Sequence, residues 1–297
     1  MLEASLASAT LSTAVELLGK APDPVWIAGP GGYEIPVRRY GSDGRGRPVV
    51  MLHGLESHSG WFVQSARCIA ARGLPVHAFD RCGSGVSHAN PELGCGLADL
   101  LDEVDAVVGA ALAGTSYDAV HLVGHCFGAL VALLYAALYR PRRTAGLVLA
   151  TPALYTRTDL PARDKLRVAL SALTGRRAAI SIPLAPEEMS ELAPFVELVR
   201  RDPLALRSAP ARLFFAVWRA RRLLPKAARA LRAPLLVALA GEDVICDNAR
   251  NARLFRRVTA PKKLVEYPGA RHILELSGQR EAFLDELAAW LERREAV

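Results

Sequence analysis

No apolar run in this chain approaches the about 20 residues that a helix needs to cross a bilayer, so no segment reads as transmembrane. The opening stretch, MLEASLASATLSTAVELLG, carries Glu3 and no early Lys or Arg, so the charged start of a secretory signal is missing. The five cysteines, Cys68, Cys82, Cys95, Cys126 and Cys246, are odd in number and irregularly spaced, with no C-x-x-C pair. Neither a disulfide framework nor a zinc site is expected, and a reducing, cytoplasmic setting is. Internal repeats and low-complexity linkers are also lacking.

What is present is ordinary for a globular protein. The chain has 297 residues, 51% of them apolar and 23% charged, enough for one large α/β domain with an insertion or for two small domains. The net charge of +7 is concentrated: residues 153–232 hold 16 Lys plus Arg against 7 Asp plus Glu, which leaves the rest near −2. A solvated basic surface accounts for this, and so does a docking face for an anionic partner or substrate. Nucleic acid is not expected, because no recognised binding motif accompanies the charge.

Short apolar stretches alternate with helical ones. Val25–Tyr40 reads as a hairpin broken at Gly31 and Gly32. Strands are expected over Pro48–Leu52, Leu74–Asp80, Ala119–Gly124, Ala145–Ala150, Leu235–Ala240 and Lys263–Tyr267. Helical spacing marks Leu97–Ala113, Phe127–Tyr139 and a terminal helix from about Gln279 to Glu295. Short apolar strands separated by helices predict a buried, mostly parallel sheet. The alternation stops between Thr151 and Ala233, a stretch rich in Arg, Leu, Ala and Pro that reads as several short helices. The expected organisation is an N-terminal helix over residues 1–22, an α/β core over 23–152 and 233–297, and a helical cap over 153–232.

The most informative motif is Gly124-His125-Cys126-Phe127-Gly128, between the strand AVHLV and the helix GALVALLYAALY. A G-x-nucleophile-x-G turn sets its central residue on a sharp strand-to-helix bend, with the side chain projecting into a cleft. The helix N-terminus that follows favours negative charge on the sulfur. A buried structural cysteine is the bland alternative. An aspartate nucleophile, as dehalogenation or epoxide opening would require, is absent from this position, and so is the serine of a haloperoxidase-like enzyme.

Several stretches, in order and spacing, resemble the monoglyceride lipase and lysophospholipase group of the α/β-hydrolase fold. They are MLHGLESHSGWF at 51–62, HAFDRCGSGVS at 77–87, LVGHCFGAL at 122–130, LVLATPAL at 147–154, GEDVICD at 241–247 and YPGARHILE at 267–275. Two features depart from that pattern. Cys126 stands where the group has serine, and the turn DRCGSG replaces D-x-R/H-G-H-G, a change expected to affect loop packing only.

The resemblance implies an α/β-hydrolase fold, a mostly parallel central sheet flanked by helices with a helical lid. It places the catalytic histidine at His272, in a Pro-Gly-x-x-His loop, and the acid at Asp243, with Glu242 and Asp247 as nearby rivals. Asp247 is otherwise explained as a helix N-cap. The order Cys126, Asp243, His272 is the order this fold uses. Oxyanion donors are expected from the backbone N–H groups of Phe127 and Leu55. His53 reads as structural, His125 as pointing away from the cleft, and His58, His77, His88 and His121 as loop or surface residues. A Cys–His–Asp set on this fold also occurs in dienelactone hydrolases and polyhydroxyalkanoate synthases, which this chain does not otherwise resemble.

The expected function is Cys-dependent hydrolysis of an ester or thioester, with no cofactor and no metal. Three alternatives stay open: an acyltransferase or cyclising enzyme using the same triad on a coenzyme A or acyl-carrier-protein thioester held at the basic cap; a non-catalytic binding protein; and a form disabled by an introduced cysteine. Leu213, Phe214, Phe215, Val217 and Trp218 are candidates for an acyl pocket or for the cap's own core.

Overall fold

The computed structural model describes residue 16 and residues 18–294; most of the helix expected over 1–22 lies outside the described residues. The main sheet has eight strands in the order β1-β2-β4-β3-β5-β6-β9-β10. They are β1 (Val25–Ala28), β2 (Glu34–Tyr40), β3 (Val49–Leu52), β4 (Val76–Phe79), β5 (Val120–His125), β6 (Thr144–Ala150), β9 (Leu235–Ala240) and β10 (Lys262–Tyr267). The β1–β2 hairpin is antiparallel, β2 joins β4 antiparallel, and every pairing from β4 to β10 is parallel. This is the expected fold: an α/β-hydrolase sheet buried on both faces.

The pleat explains why the strands read as unbroken apolar runs. Along β3, Val50 and Leu52 join one core cluster while Val49 and Met51 join the other. The same split repeats in β9, where Leu235 and Val237 face one way and Leu236 and Ala238 the other. Each face therefore needs helices. Helices α1 (Val63–Ala70) and α9 (Arg280–Glu292) cover one face; α2 (Leu97–Leu112), α3 (Phe127–Leu134) and the far half of α7 (Ala211–Ala230) cover the other. Burying one such Leu or Val side chain stabilises the fold by about 1.5–3 kcal/mol.

Between β6 and β9 the chain forms α4 (Ala162–Thr174), α5 (Pro186–Met189), α6 (Ala193–Arg201), α7 and a two-stranded antiparallel ribbon of β7 (Ala179–Ser181) and β8 (Ser208–Pro210). The expected short helices are there, but the last helix of the segment is long. Helix α7 runs for 20 residues through Pro225, which cannot donate to the Arg221 carbonyl one turn back. Its buried stripe of Leu213, Ala216, Ala220, Leu224 and Ala227 keeps helical spacing past that break and pins it by packing. Helix α8 (Asn248–Phe255) follows β9 and is capped by Asp247, whose carboxylate accepts from Arg250 N–H.

Candidate active site

Strand β5 delivers Cys126 into a sharp turn. Its backbone sits at φ 53°, ψ −114°, a left-handed conformation that costs an L-residue about 1–3 kcal/mol. The turn is held from both sides: Cys126 N–H donates to Ala150 O at 3.0 Å, and Cys126 O accepts from Ala153 N–H at 3.0 Å. The flanking glycines have steric causes. A Cβ at Gly128 would stand 2.4 Å from Leu52 O and 2.6 Å from His53 O, and one at Gly124 would stand 2.7 Å from Ala129 Cα.

His272 and Asp243 arrive from the loops after β10 and β9. His272 Nδ1 lies 2.9 Å from Asp243 Oδ2, with both side chains buried. Asp243 Oδ1 accepts two backbone bonds, from Ile245 and Cys246 N–H at 2.9 Å each. Burial would push the Asp243 carboxyl up, but the His272 charge and these hydrogen bonds hold it below the ordinary range. Burial would likewise lower His272, yet the charges of Asp243 and Cys126 hold it well above its ordinary value. Its Nε2 is buried and has no partner among the described residues, and His272 and Cys126 line the same small pocket.

Cys246 is a neighbour that sequence reasoning passed over. Its thiol donates to Thr151 O at 3.4 Å and stands 3.8 Å from His272 Nδ1. Burial pushes it up to about 12, so it stays a neutral thiol. Asp243, Cys246 and His272 offer ligand atoms within 4.8 Å of one another, but all of these atoms are already engaged in the bonds just described. No sequence signal marks this contact, because Cys246 lacks any motif of its own.

The turn after β3 runs directly against Cys126: a Cβ at Gly54 would lie 3.2 Å from Cys126 Cβ. Leu55 and Phe127 line one cavity with Cys126. The Leu55 N–H is bound by no other group among the described residues, and Phe127 opens α3, where the first N–H groups lack intrahelical partners. Arg81 touches both residues. Its Nη2 donates to Leu55 O at 2.6 Å and its guanidinium lies 5.3 Å from the centre of the Phe127 ring. Arg81, which fills the unspecified position of the D-x-R/H-G-H-G pattern, therefore ties that turn to the turn after β3. His53 is structural: Nε2 accepts from Arg81 N–H at 3.2 Å, so Nδ1 carries the proton and donates to Gly54 O at 2.8 Å. Burial and Arg81 lower it to about 3, which keeps the ring neutral.

Other histidines depart from expectation. His125 does not leave the cleft. It lines the pocket with Cys126, stacks on Phe62 at 4.0 Å, and is lowered to about 3 by burial. His58, His77 and His121 are buried, not surface residues, because their strands and turns lie under helices. His58 Nε2 bonds Asp202 at 2.8 Å, and Trp61 Nε1 donates to the same carboxylate at 2.5 Å. Leu206 N–H donates to Glu56 O at 2.8 Å, and Arg207 pairs with the Glu56 carboxylate. The segment after β3 is thus stapled to residues between α6 and β8.

A cavity of about 810 Å³ extends from Cys126 toward α4 and α7, a size suited to a small-molecule ligand. Phe214, Phe215, Val217 and Trp218 line it. Leu213 does not; it is buried in the core beneath.

The family described as serine aminopeptidase, S33, matches residues 46–276. Human monoglyceride lipase is 28% identical over 266 residues, covering 84% of this chain and 83% of its own. The monoacylglycerol lipase of Mycolicibacterium smegmatis is 28% identical over 271 residues, covering 89% and 95%. Among solved structures, the monoacylglycerol lipase of Paleococcus ferrophilus superposes with a TM-score of 0.78 at 25% identity, covering 88% of this chain and 99% of that one. With the sheet order, the strained turn at Cys126 and these relatives in agreement, the chain belongs to the serine aminopeptidase S33 family of α/β-hydrolases, in its monoglyceride lipase-like group.

Proposed function

We propose that this hydrolase cleaves an ester or thioester through an acyl-cysteine intermediate, with Cys126 as nucleophile, His272 as base and acid, and Asp243 fixing the His272 tautomer. The observation that carries this reading is the strained turn at Cys126, which shares a pocket with an unpartnered His272 Nε2 whose other nitrogen is held by Asp243.

The steps follow from the groups present. The thiol proton moves to His272 Nε2, and the imidazolium is stabilised by Asp243. Cys126 Sγ bonds to the carbonyl carbon, and the electron pair of the C=O bond moves to oxygen. The N–H groups of Leu55 and Phe127 donate to that oxyanion; removal of one such donor typically costs about 3–4 kcal/mol. Collapse breaks the bond to the alkoxide or thiolate, which leaves with the His272 proton. A water then gives its proton to Nε2 and adds to the thioester. The second collapse frees the acid and restores the thiol. The names of the relatives, monoglyceride and monoacylglycerol lipase, support an ester substrate.

A second reading has the same acyl-cysteine passed to an alcohol, amine or thiol acceptor, from a coenzyme A or carrier-protein thioester. The basic excess over residues 153–232 favours it. Free thiols at all five cysteines suit a reducing compartment.

Intact-mass spectrometry after brief incubation with acyl thioesters and 4-nitrophenyl esters tests the reading. The wild type is expected to gain one acyl mass that Cys126→Ala lacks, with turnover lost by about 10³-fold or more in that variant. Adduct lifetime in water, against added amines or alcohols, separates hydrolysis from transfer. No adduct and no turnover on any donor, while Cys126→Ser hydrolyses esters, would sink the Cys-nucleophile reading.

A further inference from the structure

Above the catalytic turn, the cap cavity carries four cations, Lys165, Arg221, Arg222 and Arg250, against one carboxylate, Asp159. Lys165 and Asp159 pair with each other. The three guanidiniums have no carboxylate within ion-pair distance among the described residues. Two of them are held by aromatic rings: Arg222 lies 3.7 Å over Trp218 and Arg250 lies 4.4 Å over Tyr155. Stacking fixes a guanidinium by its face and leaves its in-plane donors available.

Arg221 is the more telling residue. It lines the cavity with the other two, and its Nη2 donates to Thr156 Oγ1 at 2.9 Å. Its Nε is buried and meets no acceptor. A solvated basic surface accounts for exposed arginines, but not for a buried donor left bare. The Nε groups of Arg38, Arg81 and Arg294 are bare as well, but of these four only Arg221 lines the cavity that holds Cys126. In a ligand cavity, a bare donor on a cation marks the place of an acceptor that arrives with the ligand. Arg221 and Cys126 line the same cavity, so the acceptor would lie in the space that holds the reacting centre.

We propose that Arg221, flanked by Arg222 and Arg250, is an anion subsite that takes a carboxylate or phosphate of the substrate. The preferred acyl donor then carries a negative group on an otherwise apolar skeleton. This deepens the hydrolase reading above and rests on it. Both oxygen anions match the guanidinium fork, so the two sources are distinguished by experiment.

The test compares charged and neutral donors of equal length. One pair is the 4-nitrophenyl half-ester of a dicarboxylic acid against the 4-nitrophenyl ester of the matching monoacid. The other is an S-acyl-4′-phosphopantetheine against the S-acyl-pantetheine. The wild type is expected to favour the anionic member of at least one pair by about tenfold or more in kcat/KM, as a charge-assisted hydrogen bond allows. A preference in the first pair assigns the anion to a carboxylate on the acyl group; in the second, to a phosphate on the leaving group. The preference ratio should fall about tenfold in Arg221→Gln and be partly restored in Arg221→Lys. It should also weaken with added salt in the wild type, a readout that needs no variant. Equal rates within both pairs, with neutral esters turned over, overturn the subsite and leave the hydrolase intact. A chain inert toward every donor overturns the hydrolase reading, and the subsite with it.

Discussion

At the scale of single residues, the proposed mechanism makes Arg81 a positioning group for the turn that carries Leu55. It holds the Leu55 carbonyl and lies over the Phe127 ring, so one buried side chain orients both expected donor residues. Arg81→Met keeps the volume and loses both contacts. We expect kcat to fall about tenfold to a hundredfold, less than outright loss of a donor, with KM little changed and the pH profile unmoved. Steady-state kinetics on a 4-nitrophenyl ester check this; an unchanged kcat would make Arg81 a loop-stability residue only. Residue-scale legibility follows the backbone. Cys126 could be read because a strained turn demands glycines at fixed offsets, and the loops bearing Asp243 and His272 repeat a pattern. Arg81 and Cys246 could not, because their roles depend on which side chain a folded neighbour presents.

At the scale of elements, the tightest constraint is the approach of α3 to β3. Gly128 leaves no room for a methyl group against the carbonyls of Leu52 and His53. Gly128→Ala is expected to destabilise the protein by about 1–3 kcal/mol and to shift the oxyanion turn as well. Thermal unfolding should show a lower Tm, and activity should drop more than the loss of folded protein explains. A variant with unchanged Tm would show that the turn can yield. The sheet strands were legible because burial on both faces writes apolar runs bounded by turns. Helix α7 was not. Its Arg-rich first half faces a cavity, Pro225 interrupts its ladder, and only the packed stripe reveals it as one element. The short pairing of β7 with β8 joins residues at least 27 positions apart, Ser181 with Ser208 being the nearest pair, which no local pattern announces.

At the scale of the whole molecule, buried carboxyls make stability depend on pH. Glu103 is buried, and burial raises it to about 7, against an ordinary value of 4.5. Between those values the native state binds a proton that the unfolded state has released, so stability falls as pH rises through this window. Glu103→Gln keeps an acceptor for Cys82 N–H, which Glu103 Oε1 binds at 2.7 Å. The variant is expected to flatten the decline, gaining about 1–3 kcal/mol on the wild type at pH 8 relative to pH 5. Denaturant unfolding at the two pH values measures it; parallel curves for both proteins would refute the assignment.

The staples between the segment after β3 and the residues around β8, with the far half of α7 sunk into the main core, have an engineering consequence. The cap is not a cassette. A chimera that exchanged everything between β6 and β9 would take away Leu224, Ala227 and Ala228 from beneath the sheet and the Asp202 and Arg207 partners of the oxyanion segment. Substrate range in this scaffold would be better altered by point changes on the cavity-facing half of α7 than by trading lids.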